Sequence, residues 1–134
     1  MLTSLKVKNF ALISDVEMLF DNGMNIITGE TGAGKSILIG ALGLALGNRA
    51  DTSSLRNSDQ KCVIEASFNV ANYNLKSFFE KHDLDFEPIS ILRREITTSG
   101  KSRAFINDTP VNLKELAFLG NRLIEIHSQH DNLQ

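Results

Sequence analysis

The sequence predicts a mixed α+β fold, in which several antiparallel strands surround one strand–loop–helix unit. Three observations carry this prediction. The segment Gly29–Ser36 matches the pattern G-x-x-x-x-G-K-[ST] at every fixed position. It lies between a short β-branched run, Met24–Thr28, and a stretch that is apolar nearly all round, Ile37–Leu46. The other strand-like runs are separated mainly by turn signals, unlike the regular βαβα alternation of a small-molecule kinase.

The glycine-rich loop is the first candidate site. Its glycines let the backbone fold tightly enough for several N–H groups to converge on phosphate oxygens, and a helix starting there adds its positive end. On the known mechanics of the pattern, Lys35 reaches the β and γ phosphates and the Ser36 hydroxyl binds the bridging Mg²⁺. We therefore predict a triphosphate with its Mg²⁺ as the ligand of Gly29, Glu30, Thr31, Gly32, Ala33, Gly34, Lys35 and Ser36.

The elements before the loop form a hairpin. Alternation of apolar residues with Lys6 and Lys8 predicts a strand over Leu2–Phe10, and a second strand covers Val16–Phe20. The turn signal Asp21-Asn22-Gly23 then leads into the strand before the loop. After the loop, the apolar helix is expected to end at Gly47-Asn48.

The second half begins with a polar connection, Asn48–Gln60, in which residues 51–54 can cap a short helix around Leu55 and Arg56. The remaining predictions are a strand over Cys62–Val70, a helix near Leu75–His82, a hairpin of Ile89–Ile96 and Ser102–Ile106, a turn over Asn107–Pro110, a helix over Leu113–Leu119 capped by Asn112 and stopped by Gly120, and a strand over Arg122–Ile126 that carries His127–Asp131 at its carboxyl end.

The composition and charge of the chain limit the kinds of partner that it can bind. The 134 residues are 42% hydrophobic and 22% charged, which suits one domain with a core, residues 1–134. The formal charge of −2 gives no general basic character, so any DNA contact must come from a local patch. The single cysteine, Cys62, cannot form an internal disulfide, and residues 37–46 are too short to span a bilayer. We expect a cytoplasmic protein without membrane contact.

Four segments in a fixed order closely resemble the RecN family of bacterial DNA-repair proteins. They are Leu5–Ile13, Gly29–Ser36, Arg103–Asn107 and Ile126–His130. This family belongs to the structural-maintenance-of-chromosomes (SMC) branch of ABC-type ATPases, and the resemblance covers nearly the whole chain. It implies the N-terminal lobe of an ATPase head, whose C-terminal lobe would follow a long coiled coil.

The resemblance implies two further site residues. Gln129 matches the Q-loop glutamine of ABC-type ATPases, which helps to coordinate Mg²⁺ and senses the γ-phosphate; from the residues alone it is an exposed polar residue. Arg56 matches an arginine that in SMC proteins contacts nucleotide, the partner head or DNA, and it reads equally well as a surface arginine. By the same analogy, Lys8 and Asn9 are expected near the base or ribose, or else are ordinary residues at the edge of a strand.

The leading hypothesis is an ATP-binding lobe of a RecN-like ATPase in recombinational repair of DNA double-strand breaks. Its expected partners are the C-terminal lobe of the same full-length chain, a second head in a homodimer, and DNA through the full-length protein. The 134 residues contain no Walker B acid run and no Leu-Ser-Gly-Gly signature, so we expect them to hydrolyse little ATP alone. The alternatives are a related ABC-type head (RecF-like or a transporter subunit), a self-sufficient P-loop kinase, and a binding module whose loop is structural.

Overall fold

Six antiparallel strands form one sheet in the computed structural model, which describes residues 1–20, 32–50 and 55–132 and, for residues 32–35 and 125–132, the backbone alone. The strand order is β2-β1-β3-β4-β5-β6. The elements are β1 (Leu2–Phe10), β2 (Ile13–Leu19), α1 (Gly32–Ala45), β3 (Cys62–Asn69), α2 (Lys76–Lys81), β4 (Ile89–Ile96), β5 (Ser102–Ile106), β6 (Thr109–Val111) and α3 (Leu113–Asn132). The predicted mixed fold and its antiparallel flank are confirmed.

The sheet buries one face and leaves the other polar, because side chains alternate along each strand. On the buried face, Leu5, Ile64 and Leu92 come from three adjacent strands and join one core with residues of α1, α2 and α3. Full burial of each such side chain contributes about 1.5–3 kcal/mol. On the polar face, cross-strand charges pair, as Lys6 does with Glu17 at 3.7 Å. The helices therefore pack on a single side of the sheet.

The turn between β5 and β6 shows where the predicted loop was too long. Asn107 and Asp108 have φ values of 49° and 66°, the left-handed pair that a two-residue hairpin of type I′ requires. The strand β6 begins directly after them and includes Pro110, which a strand at the edge of a sheet tolerates because one row of its N–H groups has no partner strand. The prediction of a turn through Pro110 was therefore wrong by two residues.

Helix α3 is the largest departure from prediction. The sequence predicted a helix ending at Gly120 and a strand over Arg122–Ile126, whereas one helix runs from Leu113 to Asn132. Its start is as predicted, since Asn112 Oδ1 accepts a hydrogen bond from the Glu115 N–H at 2.7 Å and Glu115 Oε1 accepts one from the Asn112 N–H at 3.3 Å. Burial of Leu116, Leu119 and Leu123 continues the helical spacing past the glycine.

Gly120 lies within the helix and allows a close contact with the end of α1. A Cβ added there would lie 2.2 Å from the carbonyl oxygen of Leu46, just beyond the end of α1. The facing glycine, Gly47, has a φ of 106°, and a Cβ added there would lie 2.5 Å from the Cα of Ala117 in α3. The two helices can therefore touch backbone to backbone, and Gly47-Asn48 ends α1 as predicted.

Candidate nucleotide-binding site

The described part of the phosphate-binding pattern forms the start of a helix. Helix α1 begins at Gly32, inside the pattern, so the backbone of Gly32–Lys35 is helical and the exposed Ser36 follows it directly. The N–H groups in the first turn of a helix have no partner within the helix, and the helix dipole makes them attractive to anions. No acidic residue lies in this first turn to compete for them. The helical half of the predicted cradle is therefore in place, and the arrangement suits a phosphate group.

The other predicted residues of the loop, Gly29, Glu30 and Thr31, lie outside the described residues, as does the strand predicted over 24–28. The same is true of the side chain of Lys35. Their roles in holding phosphate stay predictions.

A buried arginine anchors the opposite end of α1. Arg94 on β4 is 1% exposed, and its Nη1 donates hydrogen bonds to the carbonyl oxygens of Leu44 at 2.8 Å and Asn48 at 2.6 Å. Its Nε donates to Ser102 Oγ on β5 at 2.6 Å. Carbonyls at the C-terminal end of a helix carry partial negative charge, so the guanidinium both satisfies them and complements the helix dipole.

Burial perturbs the ionisation of Arg94 and of its neighbour Cys62. Desolvation lowers the pKa of Arg94, and interaction with Cys62 acts in the opposite direction. Desolvation raises the pKa of the Cys62 thiol to about 11, and the positive charge of Arg94 partly offsets that rise. The thiol is therefore neutral near pH 7, and its buried position fits a packing role and not a nucleophilic one.

Arg56 lies in a segment that the end of β1 holds in place. Leu55 pairs with Phe10 in an isolated antiparallel bridge, so the short helix predicted around Leu55 and Arg56 was wrong. The Arg56 N–H donates to the carbonyl oxygen of Asn9 at 3.4 Å, and its side chain is exposed. The segment pairs as extended backbone because β1 offers free backbone groups at its end, a long-range effect that residues 51–56 do not encode locally.

Asn9 fixes the same segment with its side chain. Its Nδ2 donates to the carbonyl oxygens of Asn57 at 2.9 Å and Gln60 at 2.8 Å, and its Oδ1 accepts from the Asn57 N–H at 2.6 Å. Asn9 is 5% exposed and has a φ of 56°, a conformation that asparagine tolerates better than most residues. Its amide is therefore occupied inside the protein. Lys8, by contrast, is exposed on the polar face of the sheet.

The segment with Arg56 lies near the middle of α1. The Phe10 ring, next to Leu55, comes within 3.7 Å of the position that a Cβ of Gly40 would occupy. Gly40 is about one helical turn beyond Ser36. The segment that carries Arg56 thus meets α1, through Phe10, about one turn beyond Ser36.

Gln129 lies on the backbone of α3 and not at the end of a strand. It is about 14 Å along the helix axis from Gly120, where α3 crosses the end of α1. Its side chain is outside the described residues, so its role as a Mg²⁺ ligand stays a prediction.

The sequence did not predict two structural roles near the site: Arg94 holds the C-terminal end of α1, and Asn9 holds the segment with Arg56. The first left a signal in the sequence. Ser90, Leu92 and Ile96 occupy the buried face of β4, and Arg94 falls on the same alternation. An arginine at an inward position of a strand indicates a buried, hydrogen-bonded guanidinium.

None of the helices in residues 1–20, 32–50 and 55–132 has the length and apolar character needed to cross a membrane.

The family model described as an AAA domain matches residues 4–134. The DNA repair protein RecN of Vibrio cholerae is 46% identical over 135 residues, covering 100% of this chain and 24% of that protein. RecN of Bacillus subtilis is 37% identical over 134 residues, covering 98% and 23%. The chain thus spans about a quarter of the length of these curated relatives.

Solved structures share the fold at low identity. One from work on ATP-driven dimerisation and DNA-stimulated activation of SMC ATPases has a TM-score of 0.68 at 20% identity, covering 87% of this chain and 75% of that one. The recombination mediator protein RecF with ATP has a TM-score of 0.60 at 17% identity, covering 83% and 27%. At such identities the likeness establishes the architecture.

Proposed function

The chain belongs to the AAA-domain family, and from that premise we propose that it is the ATP-binding, N-terminal lobe of a RecN-like ATPase acting in recombinational repair of DNA double-strand breaks. The observation that carries this proposal is the start of α1 inside the G-x-x-x-x-G-K-[ST] pattern. The similarity to RecN proteins over the whole chain supports the choice of family member, and the SMC and RecF structures share the architecture.

The residues present fit a Mg²⁺-bound triphosphate. The open first turn of α1 lacks a carboxylate that would repel phosphate, and the exposed Ser36 can offer its hydroxyl to a cation. Lys35 would contact the β and γ phosphates, Ser36 and Gln129 would hold Mg²⁺, and Gly29–Gly34 would wrap the phosphates with backbone N–H groups. When bound, Mg²⁺ supplies positive charge that offsets charge developing on the transferred phosphoryl group.

Arg56 is proposed to contact the nucleotide or the partner head from beside α1. Asn9 holds the backbone of Arg56 and Asn57, and Phe10 pairs with Leu55, so an arginine side chain placed there would lose little backbone entropy on engaging a ligand. The hydrogen bonds of Arg94 fix the other end of α1, which makes the helix a rigid support for the phosphate site.

Complete hydrolysis is proposed to require the C-terminal lobe of the full-length protein, which would supply a Walker B acid and the signature motif, and a second head in a homodimer. The joining and parting of two heads would then act on DNA in the bacterial cytoplasm. These partners follow from the proposed family role.

Calorimetric titration with Mg²⁺-ATP tests the proposal. The wild-type chain should bind, and Lys35→Ala should weaken the affinity by about tenfold or more, since charge-assisted contacts to phosphate contribute about 1.5–3 kcal/mol. Lys76→Ala is the matched control, because Lys76 is an exposed lysine at the start of α2. An affinity that Lys35→Ala leaves unchanged would show that the loop does not hold phosphate.

Turnover distinguishes a lobe from a complete enzyme. The chain alone should release negligible phosphate from ATP at saturating Mg²⁺-ATP. Robust hydrolysis by the purified chain, abolished by Lys35→Ala, would contradict the proposal that a second lobe is needed.

A further inference from the structure

A groove lies between α2 and α3. It encloses about 490 Å³, and its lining, as far as the structure describes it, comes from residues 74–82 and 112–122. Its exposed lining is predominantly apolar. A volume of this size accommodates several side chains of a bound segment.

The floor of the groove is a stack of rings. Phe118 of α3 lies parallel to Phe78 of α2, with ring centroids 5.5 Å apart and planes 4° apart, and the His82 ring is 4.5 Å from that of Phe78. Phe78 is 9% exposed, whereas Phe118 is 58% exposed. A large aromatic side chain left this open, over a second ring, is typical of the centre of an interaction site.

The rim of the groove is basic, although the whole chain carries a formal charge of −2. Lys81, Lys114 and Arg122 line it, against one carboxylate, Glu115. Both oxygens of that carboxylate are already engaged, one with the Asn112 N–H and the other 3.1 Å from His82 Nδ1. Within the part of the chain that the structure describes, no ion pair joins Lys81 or Lys114 to a carboxylate.

We propose that this groove docks an acidic segment of a partner protein, which lays an aromatic or large aliphatic side chain against Phe118 and its carboxylates beside Lys81 and Lys114. Charge complementarity selects the acidic partner, because Lys81 and Lys114 lie beside an apolar floor without a carboxylate partner among the described residues. Nucleic acid fits less well: the floor is apolar, one face of the Phe118 ring is covered by Phe78, and a carboxylate lies among the lining groups.

A synthetic peptide tests this proposal. The probe is a fluorescein-labelled peptide in which aspartate and glutamate surround two phenylalanines, and a second peptide carries lysine at each acidic position. Binding to the chain is followed by fluorescence anisotropy at low salt, where exposed charges act most strongly. The acidic peptide should bind, and its lysine counterpart should not.

Matched variants locate the binding. Phe118→Ala, and separately Lys81→Glu with Lys114→Glu, should each weaken binding of the acidic peptide about tenfold or more, because they remove the apolar contact or reverse the rim charge. Lys101→Glu and Leu12→Ala change an exposed lysine and an exposed apolar residue away from the groove, and should leave the affinity within about twofold. Circular dichroism checks that every variant is folded.

Three results would overturn the proposal. The first is no binding of the acidic peptide at millimolar concentration. The second is binding that Phe118→Ala and the double lysine reversal leave unchanged. The third is a labelled oligothymidylate that binds instead of the peptide and loses affinity in the same variants, which would make the groove a nucleic-acid site. None of these results depends on Mg²⁺-ATP, so the test is independent of the proposed function.

Discussion

Two glycine-to-alanine substitutions, Gly40→Ala and Gly120→Ala, can separate the effect of helix propensity on stability from the effect of close packing. Alanine is favoured over glycine in a helix interior by about 1 kcal/mol. Gly40 in α1 has room for a methyl group, since the nearest atom to an added Cβ, Phe10 Cζ, would be 3.7 Å away. Gly120 in α3 has none, because the added Cβ would lie 2.2 Å from the Leu46 carbonyl oxygen and 2.9 Å from its carbonyl carbon.

The expected signs are therefore opposite. Gly40→Ala should raise the free energy of unfolding by about 0.5–1 kcal/mol through helix propensity alone. At Gly120 the Cβ and the oxygen must separate by about 1 Å to reach ordinary contact, and overpacking of this kind typically costs about 1–3 kcal/mol, occasionally more. The backbone atoms of Leu46 cannot rotate away as a side chain would, so we place the clash near 3 kcal/mol; after the gain in helix propensity of about 1 kcal/mol, Gly120→Ala should lower stability by about 2 kcal/mol.

Urea denaturation followed by circular dichroism measures both variants under the same conditions, with the m-value checked for each. The difference in stability between Gly40→Ala and Gly120→Ala should be about 2–4 kcal/mol. A Gly120→Ala variant as stable as the wild type would refute the close crossing of α3 and α1, and would return Gly120 to the role of an ordinary helix residue.

Three further predictions concern buried polar groups. Arg94→Met should lower stability by about 1–3 kcal/mol in urea denaturation, because it removes the donor to the Asn48 carbonyl and to Ser102 Oγ, whereas the Leu44 carbonyl still accepts from the Gly47 N–H. The control is Arg103→Met at an exposed position of β5, which should change stability by under about 0.5 kcal/mol; equal effects would contradict the anchoring role. Asn9→Asp should lower the free energy of unfolding by about 2–3 kcal/mol in the same measurement, because a carboxylate oxygen replaces the amide nitrogen that donates to two carbonyls. Asn69→Asp is the control, since the Asn69 side chain accepts a hydrogen bond from the Ala71 N–H and an aspartate can do the same. Burial raises the pKa of the Cys62 thiol from 9.0 to about 11, so the stability that the neutral thiol contributes is complete below pH 9 and is lost as the pH rises toward 11. Between pH 9 and 11 the wild type should therefore lose about 2 kcal/mol more of its free energy of unfolding than Cys62→Ala. Parallel pH profiles of the two proteins would disprove the raised pKa.

The sequence by itself was sufficient for the features that depend on local pattern. Alternation of apolar residues located five of the six described strands, because one face of the sheet is buried and the other is not. The fixed positions of Gly29–Ser36 predicted a helix starting at a phosphate loop, and α1 begins inside that pattern. Asn112 predicted the start of α3 because a helix cap and the N–H group that it accepts from lie within one turn of the chain.

Only the tertiary structure decided what the same residue types do when their partners are far away in the sequence. A glycine after a run of helical residues indicates the end of a helix. Gly120 instead lies inside α3, and a Cβ at this position would clash with the carbonyl oxygen of Leu46. Leu55 pairs with β1 and not with its own neighbours, and Arg94 satisfies carbonyls about 50 residues earlier. Local patterns record which face of an element is buried and how it is capped, whereas the identity of the group that a glycine, an arginine or an asparagine meets depends on how the elements are packed together.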